Sequence, residues 1–191
     1  MVKRSNAKRA QGTLRIVGGE WRGRRILIPE GTAVRPTPDR VRETLFNWLR
    51  DMLEGARCID LFAGTGALGF EALSRGAAEA WLVEQDAKLA TRLQETAGAL
   101  GAGPKIVRRD VLAFLREPPP HLFDVAFLDP PYALAVEPYL ELLKPWLAPG
   151  ALVYVERPRA DGLPAIPGGE WVKRSHAGAV EYGLLGFDGS V

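Results

Sequence analysis

The chain has 191 residues, 47% hydrophobic and 25% charged, enough to bury one core without disulfides or a structural metal. A single cysteine, Cys58, excludes an internal disulfide, and with only His121 and His176 beside it there is no metal-ligand spacing, so no metal is expected and Cys58 reads as a small buried residue beside a strand. No apolar run has the length of a membrane span and the start, MVKRSNAKRAQG, lacks the apolar stretch of a signal peptide, which points to a cytoplasmic protein with no membrane partner.

In chain order, a polar tail over 1–13 leads into LRIVGGEW and RGRRILIP, two short strand-like runs that can turn as a hairpin around Trp21-Arg22-Gly23. This first stretch is strongly basic. Residues 1–50 carry 12 Lys or Arg against 4 Asp or Glu, a net +8, whereas the remaining 141 carry 13 against 19, a net −6. Such asymmetry suits a polyanion at the N-terminal part and a small molecule elsewhere, although a solvated basic surface has the same composition. The hairpin shows little apolar surface to bury, so Arg15, Arg22, Arg24 and Arg25 are expected to contact the phosphates of a polyanion. After a linker, EGTAVRPTP, Pro38 stands where a helix can begin, and DRVRETLFNWLRDML places Val41, Leu45, Trp48, Leu49 and Met52 on one apolar face. Residues 14–55 thus read as a hairpin-and-helix extension of a main domain spanning 56–191.

From Arg57 short apolar runs alternate with helical segments: RCIDLF, ALGFEALSRG, AEAWLVE, DAKLATRLQETAGAL, PKIVRR, DVLAFLRE, FDVAFLD, AVEPYLELLKPWL and ALVYVER. That alternation predicts an α/β fold with a mostly parallel sheet covered on both faces. EWVKRSHAG and AVEYGLLGF, joined around Gly178 with no room for a helix, predict an antiparallel hairpin closing one sheet edge.

The run from Ile59 to Gly69, IDLFAGTGALG, ends the first parallel strand and opens a helix, where ligands of open α/β sheets bind and where side chains on the glycines would block them. Gly64, Gly66 and Gly69 also satisfy the dinucleotide fingerprint, with Glu84 at the spacing of its ribose-binding acid, so an NAD-dependent oxidoreductase is the rival reading. Asp60, just before the loop, would oppose a pyrophosphate but favour the sulfonium and ammonium of S-adenosylmethionine. Glu84 is placed for ribose hydroxyls, and Asp110 and the Val111 N–H for adenine. Each acid alone is equally well a cap or a solvated strand end.

Asp129-Pro130-Pro131-Tyr132 follows another strand, and its two prolines leave a rigid row of acceptors without N–H donors. An exocyclic base amine donating to the Asp129 carboxylate and the Pro130 carbonyl can pyramidalise and aim its lone pair at a methyl group, with Tyr132 stacked on the base. Stacking alone predicts that Tyr132→Phe keeps most activity.

Together these motifs resemble the class I amino-methyltransferases, in which an acid-x-Phe-x-Gly-x-Gly loop precedes Asp/Asn-Pro-Pro-aromatic. The likeness is closer to the RsmD-type bacterial methyltransferases of 16S ribosomal RNA, carried by RIVGGEWRGRRI, RPTPDRVRETLFNWL, DLFAGTGALGFEALSRGA, Glu84, LDPPY and LVYVE over Leu14 to Phe187. This resemblance implies a Rossmann-like seven-stranded fold, S-adenosylmethionine as cofactor, a guanine N2 amine as target, and monomeric action on an assembling small ribosomal subunit. By the same likeness Asp60, Phe62, Gly64, Thr65, Gly66, Glu84, Asp110, Val111 and Asp129 bind the cofactor, and Asp129 to Tyr132 are catalytic. The Arg35-Pro36-Thr37 segment resembles the part that closes over cofactor and base, which adds Arg35 and Thr37 to the RNA-contacting residues. A DNA adenine-N6 or other amino-methyltransferase is the nearer alternative, but no insert for DNA sequence recognition follows the Asp129 loop. A non-catalytic RNA-binding module leaves the strand-end acids unexplained.

Overall fold

The computed structural model describes residues 12–28 and 37–187. Two short strands, β1 (Thr13–Arg15) and β2 (Arg25–Leu27), pair antiparallel with Leu14 opposite Ile26. Alternation along the strands sends Leu14 and Ile26 to one side, where with Ile16 they are buried against Phe70, Leu82 and Leu93. The hairpin therefore does bury an apolar face, which corrects the expectation from sequence. Leu14 and Ile16 stand ten or more residues from Ile26, and Gly and Arg fill much of the run between them, so the shared apolar face does not stand out in the sequence. The other face carries Arg15 and Arg25, both exposed.

Helix α1 (Asp39–Trp48) starts behind Pro38, whose extended ψ of 148° turns the chain into the first helical residue. Val41, Leu45, Phe46 and Leu49 are buried, and half-buried Trp48 lies 5.6 Å from the Tyr182 ring. Arg42, on the same buried face, is fully enclosed.

The main sheet is built from β3 (Arg57–Asp60), α2 (Ala67–Ser74), β4 (Glu79–Val83), α3 (Ala87–Leu100), β5 (Lys105–Val107), α4 (Val111–Leu115), β6 (Phe123–Leu128), α5 (Glu137–Leu143), β7 (Leu147–Pro158), β8 (Gly169–Ala177) and β9 (Val180–Phe187). Its order is β5-β4-β3-β6-β7-β9-β8, with β9 alone running against its neighbours. This is the Rossmann-like sheet the sequence implied, including the hairpin at one edge. Cys58, Val125, Phe127, Tyr154 and Tyr182 face α1 and α2, while Ile59, Ala126, Leu128, Val153 and Val155 face α4 and α5. On that second face Leu163 and Ile166, from the loop after β7, complete the core. The sequence pattern extends the fifth helix to Leu147, but α5 ends at Leu143, a 3-10 turn covers Lys144–Trp146, and Leu147 already belongs to β7. Pro145 has no N–H to continue the helical ladder, and Trp146 instead donates from Nε1 to the Leu115 carbonyl at 3.2 Å.

Candidate active site

Strand register decides what meets at the carboxyl edge. Asp60 lies opposite Leu82 and Phe127, and Phe127 lies opposite Tyr154. Side chains repeat their direction every second residue, so Glu84, Asp129 and Glu156, each two positions beyond one of those partners, point the same way as Asp60. Four acids from the adjacent strands β4, β3, β6 and β7 thus share one face at the edge where ligands of parallel sheets bind.

Asp60 is only 3% exposed, and its Oδ2 accepts from the Gly69 N–H at 3.2 Å, in the first turn of α2. Burial, with Glu84 nearby adding to it, pushes the Asp60 carboxyl up to about 7, although the Gly69 and Phe62 N–H groups oppose the shift. Glu84 accepts from Gly64 N at 2.9 Å on Oε2 and from Asp86 N at 2.8 Å on Oε1. It therefore shapes the glycine loop as well as ending a strand, and each oxygen keeps a second acceptor position. Burial, with Glu156 and Asp60 as like charges, holds the Asp129 carboxyl well above the usual carboxylate range, while Thr37 Oγ1, donating at 3.5 Å, works the other way. Among the described residues Asp60, Glu84 and Asp129 have no Lys, Arg or His partner. Acids withdrawn from water, Asp60 and Glu84 buried and Asp129 half-buried, with no cation beside them among the described residues, suit a ligand that brings its own positive charge.

Two of the glycines also have a packing reason beside the expectation that side chains would block a ligand. A Cβ on Gly66, whose φ is +79°, would stand 2.5 Å from the Phe70 ring and 2.7 Å from Leu93, and one on Gly69 would stand 2.0 Å from Leu82. Both positions need glycine so that α2 can lie against its own neighbours. Thr65 is buried, Gly64 half-buried, and Phe62 meets Tyr139 edge-on with ring centroids 5.1 Å apart.

Asp110 is exposed and caps α4, its Oδ1 accepting from Ala113 N at 2.9 Å, and Val111 opens that helix with an N–H that no intrahelical carbonyl reaches. Capping and ligand contact are compatible, because the second carboxylate oxygen stays available. In the Asp129 loop Pro130 is buried, Pro131 is exposed with its carbonyl taken by Leu134 N at 2.8 Å, and the Tyr132 ring is 43% exposed. Thr37, buried, stands against Asp129, whereas the arginines of the hairpin lie outside this group. Arg24 donates to the Ala99 carbonyl near the end of α3, and Arg15 contacts Asp39 at 3.5 Å. Arg22 and Arg25 are exposed and make no ion pair among the described residues. Arg35 lies outside the described residues.

Glu156 was missed as a site residue. The signal was present, since ALVYVE ends an apolar run with an acid just as Glu84 and Asp129 do. It is 4% exposed and accepts from the Tyr154 hydroxyl at 2.8 Å and the Tyr132 hydroxyl at 3.3 Å.

A family model described as "Conserved hypothetical protein 95" matches residues 14–185, from the first hairpin strand to the last strand of the sheet. The chain belongs to this family. Ribosomal RNA small subunit methyltransferase D of Escherichia coli is 44% identical over 179 residues, covering 91% of this chain and 89% of that protein. Its namesake in Haemophilus influenzae is 39% identical over 193 residues, covering 96% of this chain and 98% of the other. The solved structure of yhhF from Escherichia coli superposes with a TM-score of 0.84 at 41% identity, over 91% of this chain and 97% of that one. The family assignment agrees with the RsmD-type resemblance and gives the dinucleotide reading no support.

Proposed function

We propose that the protein is an S-adenosylmethionine-dependent methyltransferase that modifies the exocyclic N2 amine of a guanine in 16S ribosomal RNA, as a monomer acting on an assembling small subunit in the cytoplasm. The observation that carries this reading is the Asp129-Pro130-Pro131-Tyr132 loop standing in one register row with Asp60 and Glu84, acids that have no Lys, Arg or His partner among the described residues. The curated relatives named ribosomal RNA small subunit methyltransferase D support the substrate class.

Asp60, Glu84 and Asp110, with Phe62, Gly64, Thr65, Gly66 and the Val111 N–H, hold the cofactor. A cation bound beside Asp60 stabilises its ionised form, which burial in the protein disfavours. When bound, S-adenosylmethionine supplies an electrophilic methyl group. Asp129 and the Pro130 carbonyl accept the two amine hydrogens, so the lone pair leaves conjugation and points away from both acceptors. Because the prolines offer no N–H, no donor competes for that lone pair. As the nitrogen gains positive character in the transition state, the Asp129 carboxylate meets it, and one amine proton leaves with the product step to that carboxylate or to water. Tyr132 supplies a face for the base. Residues 14–55 form the RNA-positioning extension of the catalytic unit 56–191, with Arg15, Arg22, Arg24, Arg25, Arg35 and Thr37 on the RNA side.

The test is methyl transfer to small ribosomal subunits from cells lacking the gene, with the modified nucleoside identified by mass spectrometry. N2-methylguanine in 16S RNA is the expected product. Asp129→Ala should lower kcat on the order of a hundredfold with cofactor affinity by calorimetry little changed. Near-normal turnover of that variant would reduce the tetrapeptide to a structural turn.

A further inference from the structure

The loop after β6 has an unusual support. Two prolines at 130 and 131 deprive it of the N–H groups by which a loop is ordinarily pinned, and Tyr132 is 43% exposed, a poor starting point for a ring that must meet a base in one orientation. The fixing comes from the neighbouring strand. Arg157 on β7 donates from Nη1 to the Leu134 carbonyl at 2.6 Å and from Nη2 to the Tyr132 carbonyl at 3.5 Å. Glu156, one residue earlier and pointing to the opposite face of the strand, takes the Tyr132 hydroxyl at 3.3 Å on Oε1. Its other oxygen is fixed by the Tyr154 hydroxyl at 2.8 Å, from a side chain that is fully buried. Core, carboxylate and exposed ring therefore form one chain: Tyr154, Glu156, Tyr132.

Glu156 lies within β7, only 4% exposed and beside the Asp129 carboxyl, and two hydroxyl donors offset part of the cost of burying it. The bond to Tyr132 leads out of the core to the ring at the rim of the loop.

We propose that Glu156 is a positioning residue of the base site, holding the Tyr132 ring by its hydroxyl beside Asp129 in the orientation that receives the target base. This rests on the reading of Asp129 to Tyr132 as the amine-binding loop. It also revises the expectation that Tyr132→Phe keeps most activity, since that change removes the anchor and leaves the ring.

The experiment is a double-mutant cycle on methyl transfer to the small subunit, using Tyr132→Phe, Glu156→Gln, Glu156→Ala and the double variant Tyr132→Phe with Glu156→Ala. Thermal midpoints and the stoichiometry of cofactor binding report the folded fraction. Tyr132→Phe and Glu156→Ala should each lower kcat about tenfold at saturating RNA, through loss of orientation, with cofactor affinity unchanged. The double variant should be no slower than the slower single one, because both changes break the same bond. Glu156→Gln, whose amide oxygen still accepts from a hydroxyl, should recover a large part of the Glu156→Ala loss. Wild-type turnover in Tyr132→Phe, or losses that multiply in the double variant, would overturn the proposal while methyl transfer by the unchanged protein upheld the function. Failure of the unchanged protein to methylate RNA would overturn both.

Discussion

Asp60 illustrates how one side chain sets a pH dependence. Its ordinary value of 3.8 is raised to about 7 in the fold, so between those limits the folded protein binds a proton that the unfolded chain does not. Unfolding free energy then falls as pH rises through this window, by an amount on the order of 4 kcal/mol for an isolated group. Asp129 is shifted in the same direction and adds to the trend. The cofactor-free protein should therefore melt at a higher temperature near about pH 5 than near about pH 8, and Asp60→Asn should flatten the difference. A melting temperature that climbs steadily over the same range, and is indifferent to Asp60→Asn, would mean that the acid is ionised against an unseen cation. Binding of a cationic ligand reverses the cost, so below about pH 7 it should release protons, measurable by calorimetry in buffers of different ionisation enthalpy.

Among the elements, α1 and the N-terminal hairpin are joined to the sheet domain through Arg42. Its Nε donates to the Thr37 carbonyl at 3.2 Å, Nη1 to Glu71 at 3.3 Å, and Nη2 to the Arg15 carbonyl at 2.8 Å and to Asp39 at 2.5 Å. Glu71, on α2 and fully buried, in turn accepts from Val17 N at 2.9 Å and from Arg75 at 2.8 Å. One guanidinium thus ties β1, the start of α1 and α2 together, and its hold on Thr37 reaches the residue that faces Asp129. Arg42→Ala leaves two carbonyls and part of a buried carboxylate unsatisfied. It should cost about 3 to 5 kcal/mol in chemical denaturation, and Arg42→Lys should recover only part, because an ammonium lacks the fork that serves four acceptors. A loss below about 1 kcal/mol would show that the network is no more than surface pairing.

For the whole molecule, Arg15, Arg22, Arg24 and Arg25 lie exposed on a hairpin whose inner side is packed in the core. That arrangement gives a rigid basic ridge. Within the hairpin Arg22 and Arg25 are exposed and make no ion pair among the described residues, while Arg24 is partly spent on the Ala99 carbonyl. Replacing Arg22 and Arg25 with Gln should flatten the salt dependence of RNA affinity by roughly 0.7 to 0.9 log units per lost phosphate contact and leave cofactor binding intact. An unchanged slope across a salt series would put the RNA-binding surface elsewhere.

The amino-acid sequence by itself determined the α/β alternation, the terminal hairpin, the glycine loop and the Asp129 loop, because each depends on local periodicity or on Pro and Gly at fixed offsets. It also marked Asp60, Glu84 and Asp129 as strand-end acids. Which acids share a face was decided only by register between strands far apart in the chain, and that is why Glu156 joins the site beside residues from β3, β4 and β6. The reason for glycine at 66 and 69 was decided the same way, by the approach of Phe70, Leu93 and Leu82. The burial of Arg42 follows from packing three elements around one cation. Periodicity reports which side of an element is apolar, but the partner that a buried charge or an acid will meet is set by long-range packing that no single segment encodes.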